Sequence, residues 1–355
     1  MVLALQLFSA FLILVSLLPF ISNPHWIFRV AEFLKLQLIP LQIGVLIVSS
    51  FYLSDNPELW CFQIIQFGLL IYHIYLLIRF TKFWRVTKFD KTEKASEIVK
   101  VISCNIYQFN KEFDKFNDLI RREQPDVFLT MESDSHWEGA MRVLEKDYPE
   151  HVKVTLENTY GMHFFTKLKV YKKQVHYFVS DDLPSIEVEL ETNDGHRFVF
   201  FGVHPPPPSP TEEETSKERD GDLLSVAKRI RDYKLPVVVT GDFNNVAWAK
   251  SSILFKKTSR LIDARIGRGV LSTFHTKYWF FRVPLDLLFH SADVFIDMLS
   301  TYPSIGSDHF PVGFTFYIDK HSEEQDEEVQ NLDKGEMQEV NKRIEEGKEE
   351  ESDNR

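Results

Sequence analysis

The chain has 355 residues, 44% of them hydrophobic, and a formal net charge of -11. That length admits one large domain plus additional segments. As an average that charge says little about a partner of the core, but the core is not strongly basic, which counts against tight, unspecific DNA binding, since that needs many phosphate-neutralising Lys and Arg. Most of the negative charge sits in a tail, residues 319–355, with runs such as Asp326-Glu327-Glu328 and Glu349-Glu350-Glu351 and few large apolar residues. Such a composition predicts a solvated, disordered tail and leaves a body close to neutral. The cysteines, Cys61 and Cys104, are far apart in apolar surroundings and read as unpaired thiols.

Three apolar runs open the chain: Leu3 to Ile21, Leu36 to Leu53 and Leu59 to Ile78. Each approaches the roughly 20 residues that a helix needs to cross a bilayer. The first lacks the basic leader of a signal peptide and is followed by two more, so it is read as retained. Residues 1–80 are therefore expected to form a bundle of three transmembrane helices, with Trp26, Trp60 and Trp84 at its interfaces. The second connection carries Asp55 and Glu58 but no Lys or Arg. Arg29 and Lys35 lie in the first, and Arg79, Lys82, Arg85, Lys88 and Lys91 follow the third run. The positive-inside rule then puts the rest of the chain in the cytoplasm, as part of a multi-pass protein of the plasma or inner membrane. The basic linker, residues 81–97, also suits anionic headgroups, so a lipid bilayer is an expected partner. His73 in the third run reads as a packing residue, which leaves a transport function with little support.

Residues 98–318 read as a mixed α/β domain. Val99 to Cys104 is a strand that ends at Asn105. Asn110 can cap a helix with Phe113, Phe116, Leu119 and Ile120 on one face. Asp126 to Met131 is a second strand, with Glu132 at its end. Short strands follow at hairpin spacing: Val152 to Leu156, His163 to Thr166, Ile186 to Leu190 and Arg197 to Val203. The last of these ends in His204, held by the stiff proline run Pro205 to Pro208. A helix carrying Leu223, Leu224, Ala227 and Ile230 leads to Pro236-Val-Val-Val-Thr-Gly-Asp-Phe-Asn244. There Val237 to Val239 form a strand covered on both faces, Gly241 permits a sharp turn, and Asp242 and Asn244 emerge at the strand's end. Pro284 to Phe289 is a strand with Asp286 embedded in it. That charge needs a partner, either Arg282 or a histidine that it holds. Gly306-Ser307-Asp308-His309-Phe310-Pro311 precedes the final strand, Gly313 to Ile318.

Asn105, Glu132, His204, Asp242, Asn244, Asp286, Asp308 and His309 thus fall at strand ends. Carboxylates suit a hard cation such as Mg²⁺, with Mn²⁺ as a substitute. Such a cation neutralises phosphate charge and stabilises a leaving oxygen. A histidine oriented by a carboxylate can activate water.

In these pieces the chain resembles the endonuclease/exonuclease/phosphatase superfamily: Ser103-Cys-Asn105, the strand-end Glu132, Gly202-Val-His204, Gly241-Asp-Phe-Asn244, the Asp286 strand and Ser307-Asp-His309, in the family's order. That superfamily holds DNase I-like nucleases, AP endonucleases, neutral sphingomyelinases and inositol polyphosphate 5-phosphatases. The spans make this chain similar to its membrane-anchored bacterial branch. The resemblance implies a four-layer sandwich of two mixed sheets with helices outside. It also implies a metal-dependent phosphoric ester hydrolase acting on a lipid headgroup, a nucleic acid or a soluble ester. By the same resemblance, Glu132 binds the metal with Asn105 and Asp308 near it. His309 is the general base held by Asp286, Asp242 with Asn244 positions the water, and His204 contacts the scissile phosphate. Which of Asp242 and His309 takes the proton stays open, because such groups titrate together. The chain has Val283-Pro-Leu-Asp286 where the 5-phosphatases carry a Trp-Cys-Asp-Arg type motif. It has Ser133-Asp134-Ser135 where AP endonucleases carry a Lys after the metal-binding Glu. Both departures disfavour those branches. The competing expectation is an inactive, membrane-bound binding module on the same fold.

Overall fold

A computed structural model describes residues 1–84, 91–350 and 352. Arg85 and Lys88 of the basic linker and Glu351 of the tail lie outside the described residues.

The N-terminal region comprises α1 (Val2–Leu17), α2 (Trp26–Phe33), α3 (Lys35–Ser50) and α4 (Leu59–Ile78). Two stretches, Val2–Phe20 and Leu59–Ile78, are long and apolar enough to cross a membrane; the pair α2 and α3 qualifies only when taken together, and it is bent by 72°. The three-span expectation is therefore supported for two helices and open for the middle one. The break falls where Arg29, Glu32 and Lys35 interrupt the apolar pattern; all three are buried, and Arg29 pairs with Glu32 at 3.2 Å. His73 is buried between helices, with Nδ1 3.0 Å from Gln42 Oε1.

The mixed domain continues with β1 (Val99–Asn105), α5 (Phe113–Glu123), β2 (Val127–Met131), α6 (Ser135–Met141), β3 (Glu150–Val154), β4 (Met162–Thr166), β5 (Lys169–Tyr177), β6 (Pro184–Glu191) and β7 (Arg197–Val203). After α7 (Lys217–Ile230) come β8 (Val237–Asp242), α8 (Lys250–Ser259), β9 (Ile262–Asp263), β10 (Asp286–His290), β11 (Val294–Thr301), β12 (Val312–Ile318) and α9 (Glu336–Glu349). The strands make two six-stranded sheets, ordered β11-β12-β1-β2-β4-β3 and β5-β6-β7-β8-β10-β9. Each is mixed, with one parallel pair, β1 with β2 and β7 with β8, among antiparallel neighbours.

Alternation along the strands builds the layers. Val101, Leu129, Phe200, Val238, Leu288 and Phe316 point between the sheets and form the central core. Their strand neighbours point outward. Ile102, Cys104 and Phe128 meet Phe116 and Ile120 of α5 and Trp137 of α6, while Phe201, Val239 and Phe289 meet Leu223 of α7 and Phe255 of α8. The result is two mixed sheets flanked by helices.

Two expectations are corrected. Asn110 does not cap α5: its side chain donates to the Ile106 and Ile305 carbonyls, both at 3.2 Å, and braces the loop instead. The tail is not disordered across 336–349, where α9 packs on the domain with Val340 and Ile344 joining Leu224 and Leu254 in an apolar cluster. Two apolar residues one helical turn apart make a narrow stripe, and acidic residues surround it in the sequence.

Candidate active site

The same alternation carries on past the core to the site. Val101 and Val238 face the space between the sheets, so Asn105 and Asp242, an even number of residues further on, face it too. Phe200 does the same for His204, beyond the end of β7. Asp286 opens β10, antiparallel to β8 and directly opposite Asp242. Gly241 has φ 147°, and a Cβ there would strike the Val203 carbonyl, so only glycine allows β7 and β8 to run this close at the site. Glu132 follows β2 with φ 62°, a left-handed conformation that is costly for a glutamate and is found mainly at functional sites.

The side chains interlock. Asn105 Nδ2 donates to Glu132 Oε1 at 2.8 Å and to Asp242 Oδ2 at 3.1 Å. The Gln108 backbone N–H donates to Glu132 Oε2 at 3.0 Å. Asp242 Oδ2 lies 3.5 Å from His309 Nε2 and 3.9 Å from His204 Nε2. His309 Nδ1 lies 2.8 Å from Asp286 Oδ2, so the buried aspartate pairs with a histidine. Arg282 instead donates to the Thr276 carbonyl at 3.0 Å. Asp308 is half-buried next to this group.

Asn244 is more structural than expected. Its backbone N–H donates to Asp242 Oδ1 at 2.9 Å, and its Nδ2 donates to the Pro205 carbonyl at 2.9 Å, which ties the β8 turn to the proline run after His204. Several partners were not expected from the sequence. Ser307 Oγ donates to the Asn105 carbonyl and accepts from the His309 N–H. The ring of Phe274 lies 5.0 Å from that of His309, and the ring of Tyr160 lies 5.5 Å from that of His204. Ser307 could have been found from its place in Ser-Asp-His. The Gln108 contact is made by backbone and leaves no side-chain signal.

Burial and charge set the protonation states. Burial pushes the Glu132 carboxyl up to about 7 against the pull of its Gln108 and Asn105 donors, and the Asp308 charge pushes the same way. Burial opposes charging His309, but Asp286 and Asp242 outweigh it and hold the ring up at about 10. Burial pushes His204 down to about 4, partly offset by Asp242.

Among the described residues, no group of three or more His, Cys, Asp or Glu is arranged to hold a metal ion. The donor set offered here is two carboxylates, Glu132 and Asp308, with the amide of Asn105. It fits a hard cation on chemical grounds, because both carboxylates supply oxygen donors, while the Asn105 amide, its oxygen taken by the Tyr107 N–H, fixes Glu132 through its nitrogen. Glu132 is also a half-buried carboxylate met by neutral donors only among the described residues, which a cation would relieve.

A model of the Endonuclease/Exonuclease/phosphatase family matches residues 102–309, more than half of the chain. Similar solved structures include Danio rerio TDP2 complexed with single strand DNA product, at 16% identity and TM-score 0.53, covering 62% of this chain and 99% of that one. An endonuclease/exonuclease/phosphatase family protein from Bacteroides thetaiotaomicron matches at 19% identity and TM-score 0.52, covering 64% and 97%. The human Nocturnin catalytic domain with bound sulfate anion matches at 18% identity and TM-score 0.51, covering 62% and 94%. These identities speak to the fold alone. No curated protein matches the chain in sequence.

Proposed function

The chain belongs to the endonuclease/exonuclease/phosphatase family, whose members are metal-using hydrolases of phosphoester bonds, and on that premise we propose that it is a Mg²⁺-dependent phosphoric ester hydrolase anchored to a membrane by its N-terminal helices. The observation that carries the reading is the convergence of Asp286, His309 and Asp242 beside Asn105 and Glu132, with Asp286 hydrogen-bonded to His309 and the far nitrogen of that ring 3.5 Å from Asp242.

Glu132 and Asp308 are the residues that would hold the cation, with Asn105 beside them fixing the Glu132 carboxylate. A cation bound there supplies neutralisation of phosphate charge and stabilisation of the leaving oxygen. Asp242 and His309 together orient the attacking water and take its proton, as one coupled pair. Asp286 fixes the His309 ring and its tautomer, leaving Nε2 directed at the reacting centre. His204, neutral and held by the proline run, donates to a phosphoryl oxygen, and Asn244 keeps that run in place. The water oxygen bonds to phosphorus, the P–O ester bond breaks, and the alcohol oxygen leaves with a proton. The basic residues Arg29, Lys35, Arg79 and Lys82 at the domain side of the helices support a cytoplasmic catalytic domain.

The test is turnover of a soluble chromogenic phosphodiester by the detergent-solubilised full chain, with Mg²⁺ and with chelator, beside Asp242→Asn and His309→Ala. Both variants should fall by about 10²-fold or more, as for loss of a general acid or base, with circular dichroism unchanged. A folded wild type that turns over no phosphoester under any divalent metal would favour the inactive binding module.

A further inference from the structure

The segment between β9 and β10 contains Tyr278, Trp279, Phe280 and Phe281, which are 49%, 79%, 63% and 41% exposed. Four consecutive large aromatics turned to solvent are costly unless something apolar covers them. Single exposed aromatics need no explanation, but this run is continuous and is bordered by Lys277 and Arg282.

The segment is joined at one end to the active site. The Thr276 N–H donates to the Asp308 carbonyl at 2.8 Å, and Thr276 Oγ1 donates to the Ser307 carbonyl at 2.9 Å. Phe274, just before it, bridges to His309. At the other end it is joined to the apolar helices. Gln37 Nε2, in the first turn of α3, donates to the Arg282 carbonyl at 3.1 Å. Phe274 also packs in the cluster that holds Phe33, Leu36 and Ile39. The segment thus links the loop that carries Asp308 and His309 to the start of α3. In the loop after Asn105, Tyr107 and Phe109 are exposed as well, with the Tyr107 N–H on Asn105 Oδ1.

We propose that Tyr278 to Phe281 insert into the bilayer interface beside the spans, and that the cleft so held takes its phosphate ester from the headgroup of a membrane lipid. Aromatic rings with flanking cations are the residues that partition to the headgroup level of anionic bilayers. A substrate delivered within the membrane plane needs a cleft docked on that plane, and the Thr276 and Gln37 hydrogen bonds set this height. Nucleobases also stack on exposed aromatics. The attachment of this segment to α3 favours lipid over a single-stranded nucleic acid, because the helices hold it against the bilayer.

This inference rests on the hydrolase reading above, and the experiment separates the two. The full chain is reconstituted into vesicles of phosphatidylcholine, sphingomyelin and phosphatidylinositol, and headgroup release is followed beside turnover of a soluble chromogenic phosphodiester and of single-stranded DNA. The double variant Trp279→Ala/Phe280→Ala should lose about tenfold or more on lipid, since interfacial binding scales with inserted apolar area, and keep its rate on the soluble diester. Trp279→Phe should retain lipid activity. In vesicles with brominated acyl chains, wild-type tryptophan emission should be quenched more than that of Trp279→Phe. Unchanged lipid hydrolysis in the double variant, loss on DNA in place of lipid, or no Trp279 quenching overturns the proposal while the hydrolase reading stands. If the wild type cleaves no phosphoester of any kind, the hydrolase reading fails and the lipid-substrate proposal falls with it; the quenching then reports bilayer contact by the segment alone.

Discussion

At the N-terminal end, Leu77 and Phe80 join Trp248, Val283 and Leu285 in one buried cluster, with Phe33, Leu36 and Ile39 against it. At the C-terminal end, α9 sits beside α7 and α8 through two buried side chains, Val340 and Ile344. Met337 packs beside them and Gly347 sits against Gly221, and ion pairs surround this stripe: Lys250 with Glu339 at 2.7 Å, Lys257 with Glu336 at 3.0 Å, and Arg343 with Asp220 at 2.9 Å. The N-terminal helices are thus held by apolar area, and the tail by a thin stripe inside a ring of ion pairs. Arg343 extends that ring inward, because Asp220 also pairs with Arg219, whose Nη1 donates to the Asn244 carbonyl at 3.1 Å. The comparison teaches that an acidic segment docks where it finds basic residues, and those are supplied by distant parts of the chain.

The two modes of attachment should separate under mutation, pH and salt. The largest effect is expected at the apolar end. Trp248 is buried, and its Nε1 donates to the Glu32 carbonyl at 2.7 Å. Trp248→Ala should cost about 3–5 kcal/mol, as for other buried aromatics cut to alanine, read by thermal unfolding in detergent. Next, Ile344→Ala should cost about 2 kcal/mol, the lower end for a buried isoleucine at a domain edge. It should raise hydrogen exchange in α9 and leave the N-terminal helices protected.

Acid should loosen the tail. Burial works against the Asp220 carboxylate, but Arg219 and Arg343 hold its pKa below the ordinary range. Glu339 is likewise held low by Lys250 and Arg343 against burial. Groups depressed in the folded state contribute stability that is complete above their unfolded values, near about 4, and that is lost as pH falls through the folded ones. Proteolysis within 330–350 should therefore accelerate as the pH drops below about 4, with the apolar cluster around Trp248 unaffected. The smallest effect is at the exposed pair. Lys250→Ala should cost about 0.2–1 kcal/mol and lose that effect in high salt.

Much of the site was legible because it follows from alternation and chain punctuation. A buried strand such as Val237 to Val239 ending in Gly-Asp-x-Asn announces both its layer and the residue it delivers. The edge strand β5 went unseen. Lys169, Lys172 and Lys173 make it polar on both sides, as edges exposed to solvent often are. The tail was misread for a related reason. Composition predicts how a segment behaves in water, and α9 is not in water: its stripe is covered by α7 and α8.

The amino-acid sequence by itself determined the apolar helices, the strands of the central core and the order in which Asn105, Glu132, His204, Asp242, Asp286, Asp308 and His309 reach strand ends, because each depends on local periodicity. Only the tertiary structure decided that Asp286 grips His309 in place of Arg282, that Asn244 braces Pro205, and that the aromatic segment is shared between the loop carrying His309 and α3. Those are contacts between residues far apart in sequence, and their geometry is set by how two twisted sheets close on each other.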